Sequence, residues 1–430
     1  MNLEADDAHS VSKDQSHRSS RLPHRARNHH SAHADGADLH DAQPIVHPLV
    51  PRGQAELITT DAALKRVIEV LRAAGSFAYD SEFIGERSYV PQLCLIQIGL
   101  PDRIYLIDPL TKVDLLPFWG LIADDSVEKV VHAGEQDVEP VFRLLARPPA
   151  NLFDTQIAAG LVHLPYPLSL SKLVGEFVGA RLGKGLTFTN WDQRPLSGQQ
   201  LRYAADDVRY LPAAREELRR RLEKAGHAAY AAEESAQLCH GGPYRFDPEE
   251  SYLKIRGATS LDPRNLAVLR ELTIWRDAAA RTADVPPRTF LKDEILLSLA
   301  RSRAQNLEKL ARVRGLPRPL EADHGAEIVA ATMKALALPA DKLPEQQRAE
   351  PSPREKFQCD ALWAEAQTWC FTRGIDPNLV TSRQEVAEFR RAVLAGGGGG
   401  GLGEEIALLK GWRRKALGER LLEVVGKAAE

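Results

Sequence analysis

The nine residues 77–85, FAYDSEFIG, place two carboxylates, Asp80 and Glu82, one residue apart inside an otherwise apolar run. Alternation along a β-strand turns both onto one face. Like charges that close repel, and burying either without a partner is expensive. Phe77, Ala78 and Tyr79 before the pair and Phe83 and Ile84 after it argue against a solvated edge. The chain must therefore fold so that something positive sits between two core-strand acids.

The pattern around this run is mixed. SFAYDSEF, QLCLIQIGL and RIYLIDP follow one another with short connections, as an antiparallel meander would. KVVHAG and NLFD come later, separated by helical stretches such as EQDVEPVFRLLA. Such alternation predicts a mixed sheet flanked by helices. Residues 197–224 read as helix, interrupted at Pro212. Beyond a polar connector at 236–257 no strand pattern remains, and short amphipathic helices begin with Leu266, Leu269, Leu272 and Ala279 on one face. A Pro- and charge-rich joint at 339–353 separates a second helical stretch, in which Trp369 and a following Asp-Pro turn repeat the arrangement around Trp275. The expected division is a polar His-rich head (1–50), an α/β domain (51–235), the connector (236–257), a helical module (258–338), a linker (339–355) and a second helical module (356–430).

Bulk properties exclude little. With 430 residues the chain can hold two or three domains, and a formal net charge of -3 makes any nucleic-acid surface a local one. Cys94, Cys239, Cys359 and Cys370 have neither metal spacing nor disulfide density, and read as reduced thiols. No apolar stretch approaches the ~18 residues of a membrane span. The start lacks a signal-peptide core, and Glu4, Asp6 and Asp7 argue against a transit peptide, which leaves the cytoplasm as the expected location. Eight of the thirteen histidines fall in residues 1–48, without regular spacing or apolar periodicity, so the head reads as disordered rather than as a metal site. The six glycines 396–401 follow no strand and end without Lys-Ser or Lys-Thr, so they read as a loop and not as a phosphate cradle.

Two further elements carry chemistry. In VVHAGEQDVEPVF a strand is expected to end at Gly134, with Asp137 in the first turn of the next helix. Acids suit that place electrostatically in any protein, and Glu135 reads as only that. His132 reads as a hydrogen-bonded structural residue. In QLRYAADDVRYL, Tyr203 and Asp207 stack four residues apart on one helical face, and Asp206 points about 100° away. A phenol beside a carboxylate suits a site where the acid holds a metal and the hydroxyl orients or deprotonates a water.

In this order and spacing, Asp80-x-Glu82, Asp137 and Tyr203-x-x-x-Asp207 resemble the Tyr-containing DEDD exonucleases. The words SYVPQLCLIQIG, NLFDTQIAAGLV and NWDQRPLSGQQLRYAADDVRYL narrow the resemblance to the ribonuclease D family. The segment 260–337 is similar to the HRDC module of that family, with the tail a divergent second copy. The resemblance implies a ribonuclease H-like (DnaQ-like) mixed sheet followed by two all-α HRDC-like modules. It also implies a 3′→5′ exoribonuclease working by two-metal-ion hydrolysis on RNA, with tRNA precursors the expected substrate. Two Mg²⁺ or Mn²⁺ ions would be held by Asp80, Glu82, Asp137 and Asp207, Asp80 bridging them, while Tyr203 positions the attacking water. Asp154, although it matches a recurring family position, is expected to cap a helix.

Substrate contacts are expected from Phe83, Gln92, Lys184, Trp191 and Arg194, with Trp191 equally readable as a packing residue. The loop that holds Trp191 reads Thr189-Asn190 where the family leads one to expect a Ser-Asp-like pair. Basic clusters at 299–320 and in KGWRRKALGER are candidate phosphate-tracking surfaces. The metal site itself is indifferent to the sugar, so a DNA 3′→5′ exonuclease remains the enzymatic alternative; a non-catalytic RNA-binding scaffold would need a lost carboxylate or a lost Tyr203, and all five positions are intact.

Overall fold

The structure, a computed structural model, describes residues 47–183, 189–240, 246–344, 352–394 and 406–429. The expected disordered head up to residue 46, Lys184, the middle of the 339–353 joint and the glycine run 396–401 lie outside the described residues. The chain enters the sheet through β1 (Glu56–Ile58), a strand of three residues too short to read from periodicity. Helix α1 (Asp61–Ala74) follows, its first turn capped by the Thr60 hydroxyl, which accepts from the Ala63 amide. Then come β2 (Ser76–Ile84), β3 (Gln92–Gly99) and β4 (Ile104–Ile107), paired antiparallel in succession as the meander pattern predicts. Helix α2 (Leu116–Ile122), β5 (Glu128–Val131), α3 (Glu139–Leu145) and β6 (Leu152–Asp154) complete a six-stranded sheet in the order β1-β4-β3-β2-β5-β6. The pairs β1–β4, β2–β5 and β5–β6 are parallel, so the sheet is mixed.

Alternation along each strand sends side chains to two cores. Tyr79, Ile96, Ile98 and Ile107 pack under α1, α2 and α3 with Leu64, Leu71, Phe118 and Trp119. Ala78, Ile104, Leu106 and Val130 face the opposite layer. That layer is built from α4 (Thr155–Gly160), α5 (Leu170–Val178), α6 (Gly198–Arg209), α7 (Leu211–Ala225) and α8 (Ala228–Gln237). The break expected at Pro212 falls between α6 and α7, with Pro212 in the first turn of α7, where its missing N–H costs nothing.

Past the connector, α9 (Pro263–Thr282), α10 (Pro287–Phe290), α11 (Asp293–Ser302), α12 (Leu307–Leu310) and α13 (Arg318–Leu336) close a separate core around Leu266, Leu269, Leu272 and Leu296. After it, α14 (Pro353–Arg373), α15 (Pro377–Val380) and α16 (Arg383–Leu394) repeat the opening of this module: a helix of 20 or 21 residues, a four-residue helix begun by proline, then a third helix. The chain ends in α17 (Gly411–Arg413), one π-helical turn and α18 (Glu419–Ala429). Among the described residues no helix is long and apolar enough to cross a membrane, and all four cysteines are free.

The two modules meet the α/β domain differently. In the second, Leu362, Trp363, Trp369, Leu379 and Trp412 belong to the same buried cluster as Ala158, Leu211 and Ala231. Trp412 stacks on Tyr230 with ring centroids 4.4 Å apart, its indole N–H reaches Glu234, and Arg413 pairs with the same carboxylate. The His163 amide donates to the Gly374 carbonyl at 2.6 Å. At Gly374, with φ of 67°, an added side-chain carbon would fall 2.1 Å from the His163 ring, so the approach requires glycine. The first module is held by a side chain of the loop after β2: the Tyr89 hydroxyl donates to Asp277 at 2.7 Å and accepts from Arg281 at 2.8 Å, the Arg281 guanidinium lies over the Tyr89 ring, and the Tyr89 amide donates to Asp284. Trp412→Ala should therefore lower stability by about 3–5 kcal/mol. Because the core is shared, chemical denaturation followed by circular dichroism should still give one transition for the α/β domain and second module, displaced to lower denaturant; a split into two would contradict the shared core.

Candidate active site

Four carboxylates and a phenol converge where β2, β5 and α6 meet. Asp80 and Glu82 lie on the same face of β2, half-buried, as alternation requires. A register shift between Glu82 and Phe83 marks a bulge: Glu82 faces Leu95 and Phe83 faces Leu93, so Cys94 is the extra residue of β3. Such irregularities re-aim side chains at functional edges. Because β5 pairs with β2 only as far as Ala78, the second half of β2 is open on that side, and the turn after β5 fills the gap.

That turn carries Asp137, and here the expectation needs correcting. β5 ends at Val131 and α3 begins at Glu139, so Asp137 precedes the helix instead of lying in its first turn. Pro140, near the start of α3, has no N–H with which to extend hydrogen bonding back over the turn. The turn is held from three directions. Asp154 accepts from the Ala133 and Gly134 amides, as well as from Gln156 and Ile157 at the start of α4. It caps the helix, as expected, and ties down the Asp137 turn besides. The buried Tyr79 hydroxyl donates to the Asp137 carbonyl at 2.6 Å, and the Ser81 hydroxyl donates to the Asp137 carboxylate at 2.5 Å. Tyr79 and Ser81 escape a reading of the sequence because only their partner 58 or 56 residues on makes them part of the site. His132 bonds Thr155 and the Leu168 carbonyl, the structural role expected of it.

The third element, α6, begins with a capping box in which Ser197 and Gln200 satisfy each other's backbone. It brings Tyr203 and Asp207 over β2 and β3. A side-chain carbon at Gly99 would lie 2.5 Å from the Val208 carbonyl oxygen, so only glycine on β3 admits α6 this close.

Electrostatics tie the set together. Burial, and then the Asp137 and Asp207 carboxylates, hold Asp80 well above the usual carboxylate range. Burial followed by Asp80 and Asp137 pushes Glu82 up to about 9. Burial followed by Glu82 and Asp206 pushes Asp207 up to about 8. Asp137 is raised to about 6 by burial, against the lowering effect of its Ser81 hydrogen bond. Among the described residues no basic side chain forms an ion pair with any of the four, and acids repel acids throughout. Burial and the Asp207 charge also raise the Tyr203 phenol, so it stays protonated at neutral pH and can donate a hydrogen bond but not take a proton.

An all-oxygen, multiply negative pocket without its own cation suits hard divalent ions. Among the described residues no three His, Cys, Asp or Glu side chains are already grouped as a metal cluster.

The expected substrate contacts divide. Phe83 is half-buried and Gln92 exposed beside the site. Trp191 is 4% exposed and packs against Tyr203 with ring centroids 6.1 Å apart, which is the packing alternative. Thr189 and Asn190, the departure from the family pattern, precede it, and the Asn190 carbonyl accepts from Gln200. Arg194 is corrected outright. Its five N–H donors are engaged inside the protein, by both oxygens of buried Asp108 and by the Trp191, Gln193 and Cys94 carbonyls at 2.5–2.9 Å. No donor is left for phosphate, so Arg194 clamps the 191–194 loop to the sheet.

Two outcomes follow. Arg194→Ala strands the Asp108 charge and should lower stability by about 3 kcal/mol. The dependence of nucleic-acid affinity on salt should stay unchanged; loss of about one unit of that slope would restore Arg194 as a phosphate contact. In EDTA, Asp207→Asn should match wild-type stability near pH 4, exceed it increasingly up to about pH 8, and keep a constant advantage above that. The folded pKa is raised, so the folded state binds more protons than the unfolded one between ~4 and ~8, and wild-type stability falls as pH rises through that window. The difference should reach at least one pKa unit's worth, about 1.4 kcal/mol, in melting curves taken at each pH.

Comparison with known proteins agrees with this geometry. Residues 55–223 match the 3′-5′ exonuclease domain family and residues 265–332 the HRDC domain family. The ribonuclease D of Gluconacetobacter diazotrophicus is 36% identical over 369 residues, covering 85% of this chain and 91% of that protein. The ribonuclease D of Pseudomonas paraeruginosa is 35% identical, covering 87% and 98%. The crystal structure of Escherichia coli RNase D superposes with a TM-score of 0.77 at 30% identity, over 87% of this chain and 99% of that one. The site and these relationships together place the chain in the ribonuclease D family of 3′→5′ exoribonucleases, whose membership implies dependence on divalent metal.

Proposed function

We propose that this enzyme trims the 3′ ends of structured RNAs, tRNA precursors among them, by two-metal-ion hydrolysis that releases 5′-nucleotides. The observation that carries this reading is the set of four buried or half-buried carboxylates with no basic partner among the described residues, beside a protonated phenol. The Escherichia coli relative is described as an exoribonuclease involved in structured RNA processing, which supports the substrate class.

In this reading Asp80, Glu82, Asp137 and Asp207 hold two Mg²⁺ or Mn²⁺ ions. When bound, such ions activate a water and stabilise the leaving 3′ oxygen of an in-line displacement. The remaining work belongs to the chain. Tyr203 donates from its phenol to orient the attacking water, held upright by Trp191 and by the capped start of α6. Phe83 and Gln92 take the terminal nucleotides by stacking and polar contact, with Lys184 as a further cation toward the phosphates, while Trp191 serves as the packing support of Tyr203. Farther out, the helical modules track phosphates, the second being a divergent copy of the HRDC module. In the first basic cluster Arg303, Arg312 and Arg318 are ion-paired, which leaves Arg301, Lys309 and Arg314 as exposed cations without an ion pair among the described residues. In the second, Arg413 and Arg420 are engaged by Glu234 and Glu365, and Lys410, Arg414 and Lys415 stay exposed.

The test is a time course on a 5′-labelled tRNA bearing a short 3′ extension, with Mg²⁺, Mn²⁺ or EDTA, beside single-stranded DNA of equal length. A metal-dependent ladder receding from the RNA 3′ end is the expected result. Asp207→Asn should lose at least a thousandfold of this activity while binding the RNA within a few-fold of wild type. Equal shortening of DNA would replace RNA processing with a general exonuclease. RNA bound but uncut in every metal would replace it with a scaffold.

A further inference from the structure

Gln97 stands out among the buried polar side chains. It is fully buried at the centre of β3, and neither its amide nitrogen nor its amide oxygen has a hydrogen-bond partner. Among the described residues the other unmet buried side-chain atoms are single Nε nitrogens of Arg219, Arg270 and Arg276, each on a guanidinium with partners elsewhere. A carboxamide with nothing to bond is destabilising in a core, where a methionine or leucine would serve packing better.

Its position gives the reason. In the β2–β3 register Gln97 lies directly across from Asp80, and on its other side it faces Leu106 of β4. Residues directly opposite in an antiparallel pair share a face, with Cβ atoms roughly 5 Å apart. Two residues along the same face is Gly99, against which the Val208 carbonyl of α6 rests. Gln97 therefore projects between the Asp80 strand and the helix that carries Tyr203 and Asp207. A carboxamide suits this place. It can donate to an ionised carboxylate without neutralising it, whereas a lysine would compete with any cation and an apolar side chain would leave the carboxylate free to swing.

We propose that Gln97 is a positioning residue of the active site: its amide N–H₂ donates to the Asp80 carboxylate when divalent cations are held, fixing the rotamer in which Asp80 reaches them. The inference rests on the ribonuclease reading above and adds a buried support from the neighbouring strand. Outer partners of this kind orient the ligands they touch, and their loss typically weakens metal affinity or activity by about 10–100-fold.

The test is Gln97→Met, similar in length and free of polar atoms. In EDTA its melting temperature should equal or exceed that of wild type, because two unmet polar atoms are removed. Calorimetric titration with MgCl₂ alone should show at least about tenfold weaker binding, and kcat on RNA should fall with KM nearly unchanged. Wild-type Mg²⁺ affinity together with wild-type kcat would overturn the proposal and mark Gln97 as a core residue only. Should the Met variant melt early in EDTA, Gln97→Asn supplies the same reading, since its amide is too short to reach across; a wild-type titration from it would overturn the proposal equally. Wild-type protein runs beside both. If it fails to cut RNA, the ribonuclease reading itself falls, whereas cutting by wild type and by both variants alike removes only Gln97.

Discussion

The mutual repulsion of four carboxylates held half-buried or buried organises this molecule. Asp80, Glu82, Asp137 and Asp207 each raise the proton affinity of at least one other, and among the described residues no cation of the protein's own pairs with them. Left to themselves such groups would turn toward water, and the cheapest route would be local rearrangement of the backbone. A fold that keeps them together must therefore anchor each of their three segments firmly and separately. The strain is repaid when something of opposite charge enters.

The anchors differ in kind, and each suits its segment. β2 is pinned as an interior strand of a six-stranded sheet. The Asp137 turn, which has no regular structure, is held by Asp154 through backbone amides and by Tyr79 and Ser81. Helix α6 is fixed at its start by the capping box and along its length by contact with Gly99. The Arg194 clamp then presses the Trp191 loop against Tyr203. The contacts of Asp154 with the turn, of Tyr79 and Ser81 with Asp137, and of Arg194 with Asp108 reach across 20 to 86 residues of sequence, so the site assembles only when the whole α/β domain does.

This separation explains what could be read in advance. The meander, the Pro212 break, the shared face of Asp80 and Glu82 and the stacking of Tyr203 on Asp207 are all set by period and local chemistry, which a sequence displays directly. Arg194 is different. An arginine in a polar loop looks the same whether it awaits a phosphate or closes on a buried aspartate 86 residues away, and only the fold distinguishes them. Asp137 lies two residues before α3 and not in its first turn, because Pro140 has no N–H to carry the helical pattern of the sequence back over it. Tyr79 and Ser81 were hidden by proximity to the acids: on the other face of the same strand they read as ordinary core, yet they reach around its open edge to Asp137.

The same contrast runs through the helical modules. Their element succession is nearly the same, yet their attachment is not, and attachment follows from surface chemistry. The second module turns tryptophans and leucines toward α4, α7 and α8, so its removal would expose a large part of the catalytic domain's own core. The first keeps its apolar residues to itself and touches the catalytic domain through Tyr89, a phenol between an aspartate and an arginine. Contacts of that kind are worth far less than a shared core. The second module is thus part of the body that holds the carboxylates in place, whereas the first is a separately folded unit on a polar latch. The latch leaves from the loop directly after β2, the strand that carries Asp80 and Glu82.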